Sequence, residues 1–160
     1  DGTVINAGAC PVQARPEVAQ LVTSLDWQAS LSSGTPVLVV LEWVDGDVVI
    51  AFNEYCFVVS NGKYPLESLV RIPSPILDLT LDQVNDTHWR LDVTNVGGIT
   101  ALFVNILSQP GKVKIEGPQY MSLFPNSNRQ FDILLRQPLS NRDLLQLRCW
   151  GLGKEVSIEP

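Results

Sequence analysis

The chain has 160 residues, 45% of them apolar and 18% charged, and carries a formal net charge of -6. That composition excludes a disordered chain, because a polypeptide of this size and apolar content buries roughly 70% of its unfolded surface, in one generous core or two small ones. The absence of any basic run excludes nucleic acid and anionic membrane surfaces as partners, and no apolar run approaches the roughly 20 residues that span a bilayer.

From the start, Gly2 to Ala7 and Ala9 to Ala14 read as strands separated by Gly and Pro turns. No basic n-region or apolar h-region precedes them, so a targeting segment is expected to have been removed or to lie further upstream. Pro16 to Trp27 is ambiguous. Val18, Leu21, Val22 and Leu25 have helical spacing, with Pro16 and Glu17 placed as at a helix start. Val22-Thr23 is β-branched and the neighbouring segments read as strand, and strand is the reading adopted.

Val37 to Val58 is the most informative tract. Two apolar, β-branched runs, within strands expected over Thr35 to Val44 and Asp47 to Val59, meet at Val44-Asp45-Gly46-Asp47. Gly46 supplies the positive φ of a tight hairpin turn without a Cβ penalty. The stretch from Asn61 to Pro75 then breaks the pattern with Gly62, Pro65, Pro73 and Pro75 and room for one short helical turn. It reads as a semi-rigid connector, since each Pro pushes its predecessor toward extended backbone.

Beyond it, strands are expected over Leu77 to Leu81, Thr87 to Thr94, Thr100 to Leu107, Lys112 to Glu116, Arg129 to Leu135 and Leu144 to Trp150, with Val156 to Ile158 as a seventh. Trp89 to Thr94 alternates apolar and polar residues, so one face meets a core and the other meets water. This is the spacing of an immunoglobulin-like sandwich. Residues 1 to 60 offer about five strands, fewer than a sandwich needs, and would leave an edge or an apolar face to be covered. The expected fold class is therefore all-β, with one complete and one partial immunoglobulin-like β-sandwich. Residues 1–62 would form the second half of one sandwich, 63–75 the Pro-rich connector and 76–160 the complete C-terminal sandwich.

Few residues invite chemistry. Cys10, Cys56 and Cys149 are odd in number and widely spaced, which fits neither a metal pair nor a disulfide framework, so buried free thiols are expected. A Cys10–Cys56 bridge stays open as an alternative. Asn85-Asp86-Thr87 is a lone glycosylation sequon, meaningful only in a secreted eukaryotic protein. Asn53-Glu54 resembles the acid/base dipeptide of retaining glycosidases, but such enzymes need a second carboxylate about 5 Å away and none is assignable. A solvated strand-face carboxylate is the reading adopted.

His88 is the only histidine, with no Gly-x-Ser-x-Gly elbow in the chain, and reads as an exposed turn residue. One His and scattered Cys do not make four converging ligands, so no metal site is expected. Trp27, Trp43, Trp89 and Trp150, with Tyr55, Tyr64 and Tyr120, would suit a sugar-stacking platform, yet each Trp lies in or beside an apolar strand where core or domain interface is the commoner fate. The Pro118 to Asn126 loop, with Tyr120, Met121, Leu123 and Phe124, is either a docking surface or an unrecognised strand. No catalytic residue and no cofactor follows from the residues, and no substrate-binding residue is identified.

In order along the chain, three tracts resemble the C-terminal immunoglobulin-like domains of glycoside hydrolase family 2 enzymes of the β-mannosidase and exo-β-D-glucosaminidase kind. Asp1-Gly2-Thr3-Val4 through Leu25-Asp26 is similar to the second half of the family's penultimate sandwich, and Leu41 to Phe57, with Asn53-Glu54-Tyr55-Cys56-Phe57, to its closing hairpin. Leu91 to Asn95, Ala101 to Val104 and Tyr120 to Pro125 resemble the last domain's Val-x-Asn, apolar-Phe-Val and Tyr-x-x-Leu-x-Pro pattern. Cys56 departs from the usual aromatic, and Pro125-Asn126-Ser127 from a common Pro-Gly-Glu. The resemblance implies that the catalytic barrel and its two glutamates lie upstream, that Glu54 is not catalytic, and that the partners are the catalytic and other domains of a parent glycosidase, with carbohydrate as a further candidate. A secreted, periplasmic or lysosome-like setting is expected over the cytoplasm.

Overall fold

The computed structural model describes residues 7–13, 19, 21–24, 36–58, 67–108, 111–136, 145–152 and 156–158. Residues 7–13 and 21–24 take no regular structure. The strand expected over Ala9 to Ala14 is therefore not formed across its described part, and neither 19 nor 21–24 supports the strand expected over Pro16 to Trp27. The physical reason is legible at 7–13: Pro11 removes a ladder donor mid-segment, and every residue there is exposed, with no buried face to anchor a pairing. The rest of both segments, and Gly2 to Asn6, lie outside the described residues.

The hairpin forms where the sequence places it. Strands β1 (Pro36–Asp45) and β2 (Val48–Val58) pair antiparallel around the two-residue loop Gly46-Asp47. Gly46 has φ 59° and open space around its α-carbon, so the glycine serves conformation rather than packing. A bulge follows Trp43 and resets the register near the turn. A one-turn helix, α1 (Glu67–Val70), occupies the connector.

The other eight strands among the described residues form a sandwich. β3 (Leu77–Asn85), β4 (His88–Asn95), β5 (Ala101–Leu107), β6 (Val113–Glu116), β7 (Met121–Leu123), β8 (Asn128–Leu135), β9 (Leu145–Trp150) and β10 (Val156–Ile158) make two four-stranded sheets, ordered β3-β4-β8-β6 and β10-β9-β5-β7. Lettered A, B, C, D for β3 to β6 and E, F, G for β8 to β10, these are the ABED and GFC sheets of a constant-type immunoglobulin sandwich, with β7 added beside C. The alternation expected in Trp89 to Thr94 is realised: Leu91 and Val93 are buried, and Phe131 and Ile133 of β8 pair with Leu91 and Trp89. Ala101, Val104, Leu123, Leu145 and Leu147 close the core from the other sheet.

Strand β7 settles the two readings of the Pro118 to Asn126 loop. Met121, Ser122 and Leu123 are at most 2% exposed and belong to a sheet, leaving Tyr120 as the exposed aromatic of that turn. Three residues are too few to show a period in sequence. The chain reaches β7 by switching sheets at Gly117, whose φ of 136° and lack of a Cβ are both required, since a Cβ would lie 2.9 Å from Phe131 Cδ1.

Asn95 is the buried polar hub of the sandwich. Its Nδ2 donates to the carbonyls of Ile99 (2.8 Å) and Leu123 (2.9 Å), and its Oδ1 accepts from the Gly97 amide at 3.1 Å. The turn after β4 and the β7 strand are thereby tied to one side chain, and the buried amide leaves neither donor unmatched.

Candidate functional site

Strand β5 serves two cores. Ala101, Val104 and Ile106 point into the sandwich, but the ladder with β7 steps from Ala101 to Val104 and the ladder with β9 from Leu102 to Asn105. Phe103, at the centre of this bulge, has φ 55°. A bulky side chain in the left-handed region costs on the order of 1–3 kcal/mol and persists only where surrounding structure over-determines it. Here the bulge re-aims Leu102 and Phe103 into a second apolar cluster with Leu69 and Ile72 of the connector and Leu38 and Cys56 of the hairpin.

Polar contacts reinforce that joint. Glu54 Oε2 accepts the Ser122 backbone N–H at 2.7 Å, Trp150 Nε1 donates to the Leu69 carbonyl at 2.9 Å, and the Ser74 hydroxyl donates to the Gly151 carbonyl at 2.6 Å. Hairpin, connector and sandwich therefore meet over a small apolar cluster rimmed by hydrogen bonds. Glu54 is half-buried rather than solvated, which corrects the strand-face carboxylate of the sequence reading: the hairpin face that carries it rests on another layer.

Register separates the hairpin's two faces. Leu38 opposes Cys56 and Val40 opposes Glu54 on the face turned to the sandwich, whereas Val39 opposes Tyr55, Leu41 opposes Asn53 and Trp43 opposes Ala51 on the other. From Val37 to Trp43 and from Ala51 to Phe57 that second face carries no charge; Val37, opposite Phe57, is buried, and Asp45 stands at the turn end. Leu41, Trp43, Tyr55 and Phe57 are 48%, 51%, 45% and 39% exposed, and the Tyr55 and Phe57 rings lie 6.2 Å apart at 19°. A contiguous uncharged face of this kind is the surface signature of a contact site.

The other candidates are dispersed. All three cysteines are free thiols, without a Cys10–Cys56 bridge. Cys10 is exposed, which corrects its expected burial, while Cys56 and Cys149 are half-buried. Burial pushes the Cys56 thiol up, and it pushes Cys149 up to about 11 against a smaller opposing effect of a hydrogen bond with the Leu152 backbone. Thiols held protonated in this way are poor nucleophiles.

His88 is not a turn residue: it opens β4, is partly buried, and its Nε2 lies 2.7 Å from Asp132 Oδ1, with Arg90 Nε 3.9 Å from the same oxygen. Cys149 belongs to the opposite sheet, so no Cys–His pair forms. Asn85 ends β3, where its Oδ1 accepts from the Thr87 amide and hydroxyl at 3.0 and 3.3 Å, placing the sequon at an exposed strand tip. Trp89 packs on the core, Trp150 stands at the joint and Trp43 on the open hairpin face, while Trp27 and Tyr64 lie outside the described residues. Among the described residues no three His, Cys, Asp or Glu side chains gather as a metal site, and no helix is long and apolar enough to cross a membrane.

Sequence reasoning missed the second cluster and the Glu54–Ser122 contact. One signal was present: VLVVL in β1 is apolar at successive positions, hence on both faces, as in strands covered on both sides. No family model, curated protein or solved structure matches the chain.

Proposed function

We propose that this chain is the non-catalytic C-terminal accessory region of a β-glycosidase resembling β-mannosidase or exo-β-D-glucosaminidase, which packs on and supports the rest of that enzyme. Residues 1–62 belong to a partial sandwich in this reading, 63–75 to its connector and 76–160 to the terminal sandwich. The observation that carries it is the hairpin: one face rests on the terminal sandwich and the other leaves Leu41, Trp43 and Tyr55 about half exposed. A strand pair apolar on both faces suits an inner layer, and in this reading the rest of the parent supplies the second cover. The parent would cleave β-mannosidic or β-glucosaminidic bonds by a retaining two-carboxylate mechanism housed upstream. Glu54, held by a backbone amide at a packing joint, supports an architectural role here. Assaying the isolated chain on chromogenic β-mannoside and β-glucosaminide tests this: no turnover above blank is expected, and turnover would sink it. The parent reading frame gives the second check, since it must encode a barrel with two glutamates upstream.

The exposed aromatics of the same face favour a second reading, a carbohydrate-binding or adhesion-type module in which Trp43 and Tyr55 stack on sugar rings beside the amide of Asn53. Titration with mannan or chitosan oligomers would then quench Trp fluorescence, and an unchanged spectrum removes the carbohydrate-binding form of that alternative.

A further inference from the structure

Among the described residues strand β7 is the edge of its sheet, and its end residues Met121 and Leu123 are the ones paired with β5. Alternate residues of an antiparallel strand direct their N–H and C=O to opposite sides. The Ser122 N–H bonds to the hairpin rather than to β5, which puts it on the outer side of β7 among the described strands. Ser122 is 1% exposed, so this amide needs a protein acceptor in place of water. The acceptor comes from the hairpin: Glu54 Oε2, at 2.7 Å, on the β2 face that also carries Cys56 into the second apolar cluster.

We propose that Glu54 is an edge-closing latch: its carboxylate caps the free side of β7, which sets where the hairpin docks on the sandwich and denies that edge to a strand of another molecule. An uncapped backbone edge is a ready template for pairing between chains. A charge-assisted bond to the carboxylate satisfies the edge donor more strongly than a neutral acceptor does. Leu38 and Cys56 of the hairpin pack on Leu102 of β5, the strand beside β7. Glu54 thus acts as a positioning residue. These contacts lie within the chain, whichever parent, if any, it serves.

Amide hydrogen exchange read by NMR on the whole chain tests the latch, with Glu54→Ala and Glu54→Gln as variants. In Glu54→Ala the Ser122 amide is expected to exchange at least tenfold faster, while the core amides of Val93 and Phe131 keep their wild-type rates. Glu54→Gln retains an acceptor oxygen and is expected to restore most of the protection. Light scattering should show concentration-dependent association of Glu54→Ala and a monomeric Glu54→Gln. Unchanged Ser122 exchange in Glu54→Ala overturns the proposal, as does a Gln variant no better protected than the Ala variant. A Glu54→Ala protein that matches the wild type's association at every concentration overturns the edge-blocking role. If Glu54→Ala loses core protection as well, the Gln variant alone decides, by its Ser122 rate against wild type.

Discussion

The terminal sandwich and the hairpin are both antiparallel β-structure, yet they bury their side chains in different ways. In the sandwich, apolar and polar residues alternate, and Leu91, Val93, Phe131 and Ile133 are fully buried between two sheets. In the hairpin both faces carry large apolar side chains, and Val37, opposite Phe57, is its one buried large side chain among the described residues. A two-stranded ribbon is marginal in water by itself. Pairing is local but stability is layered: the sandwich holds both of its layers, whereas the hairpin has one neighbour and a face for another.

The largest expected effect that sharpens this contrast is Phe131→Ala, which opens a cavity between the sheets and should cost about 4 kcal/mol in urea unfolding. A loss under about 1 kcal/mol would mean that the sandwich is not the main stabilising unit. Asn95→Ala comes next. It leaves the Ile99 and Leu123 carbonyls and the Gly97 amide without their partner, and a loss of about 2–3 kcal/mol is expected, with the turn after β4 exchanging fastest.

Gly46→Ala probes the other side of the comparison. The turn has room for a methyl group but not the backbone for it, at φ 59°, so about 1 kcal/mol should be lost. If hairpin and sandwich unfold together, that loss appears in the global midpoint; if the midpoint stays fixed while hairpin amides alone exchange faster, the joint at Leu102 does not couple them. The smallest effect is expected on the open face. Trp43→Ser combined with Tyr55→Ser should change stability by no more than about 0.5 kcal/mol while lowering the binding of a dye that reports exposed apolar surface. A large destabilisation would show that this face is already covered within the chain.

Much of the sandwich was legible because its strands carry their own period and punctuation. Leu145–Trp150 and Val156–Ile158 fall within a residue of their expected bounds, and Asp45-Gly46-Asp47 marked the hairpin turn correctly. Strand β7 was not legible, since three residues between Tyr120 and Phe124 show no alternation and owe their strand state to β5. At the candidate site, Glu54 and Cys56 invite chemistry that the structure does not assemble, and their packing role depends on residues of other elements, Leu69 and Leu102 for Cys56 and Ser122 for Glu54. Nothing in Ala101-Leu102-Phe103-Val104 announces a bulge, because the run is apolar whichever core each side chain enters.

By itself the sequence determined that this chain is β-structured, where its hairpin turns, and which strand faces of the sandwich are dry, because these follow from side-chain alternation and from the backbone freedom of single glycines such as Gly46. That β5 divides between two cores, that Phe103 is held at positive φ, and that Glu54 meets the Ser122 amide follow from tertiary packing alone. Those features arise where separate elements press on one another, and the free energy that selects them belongs to contacts between distant residues rather than to any local run of the chain.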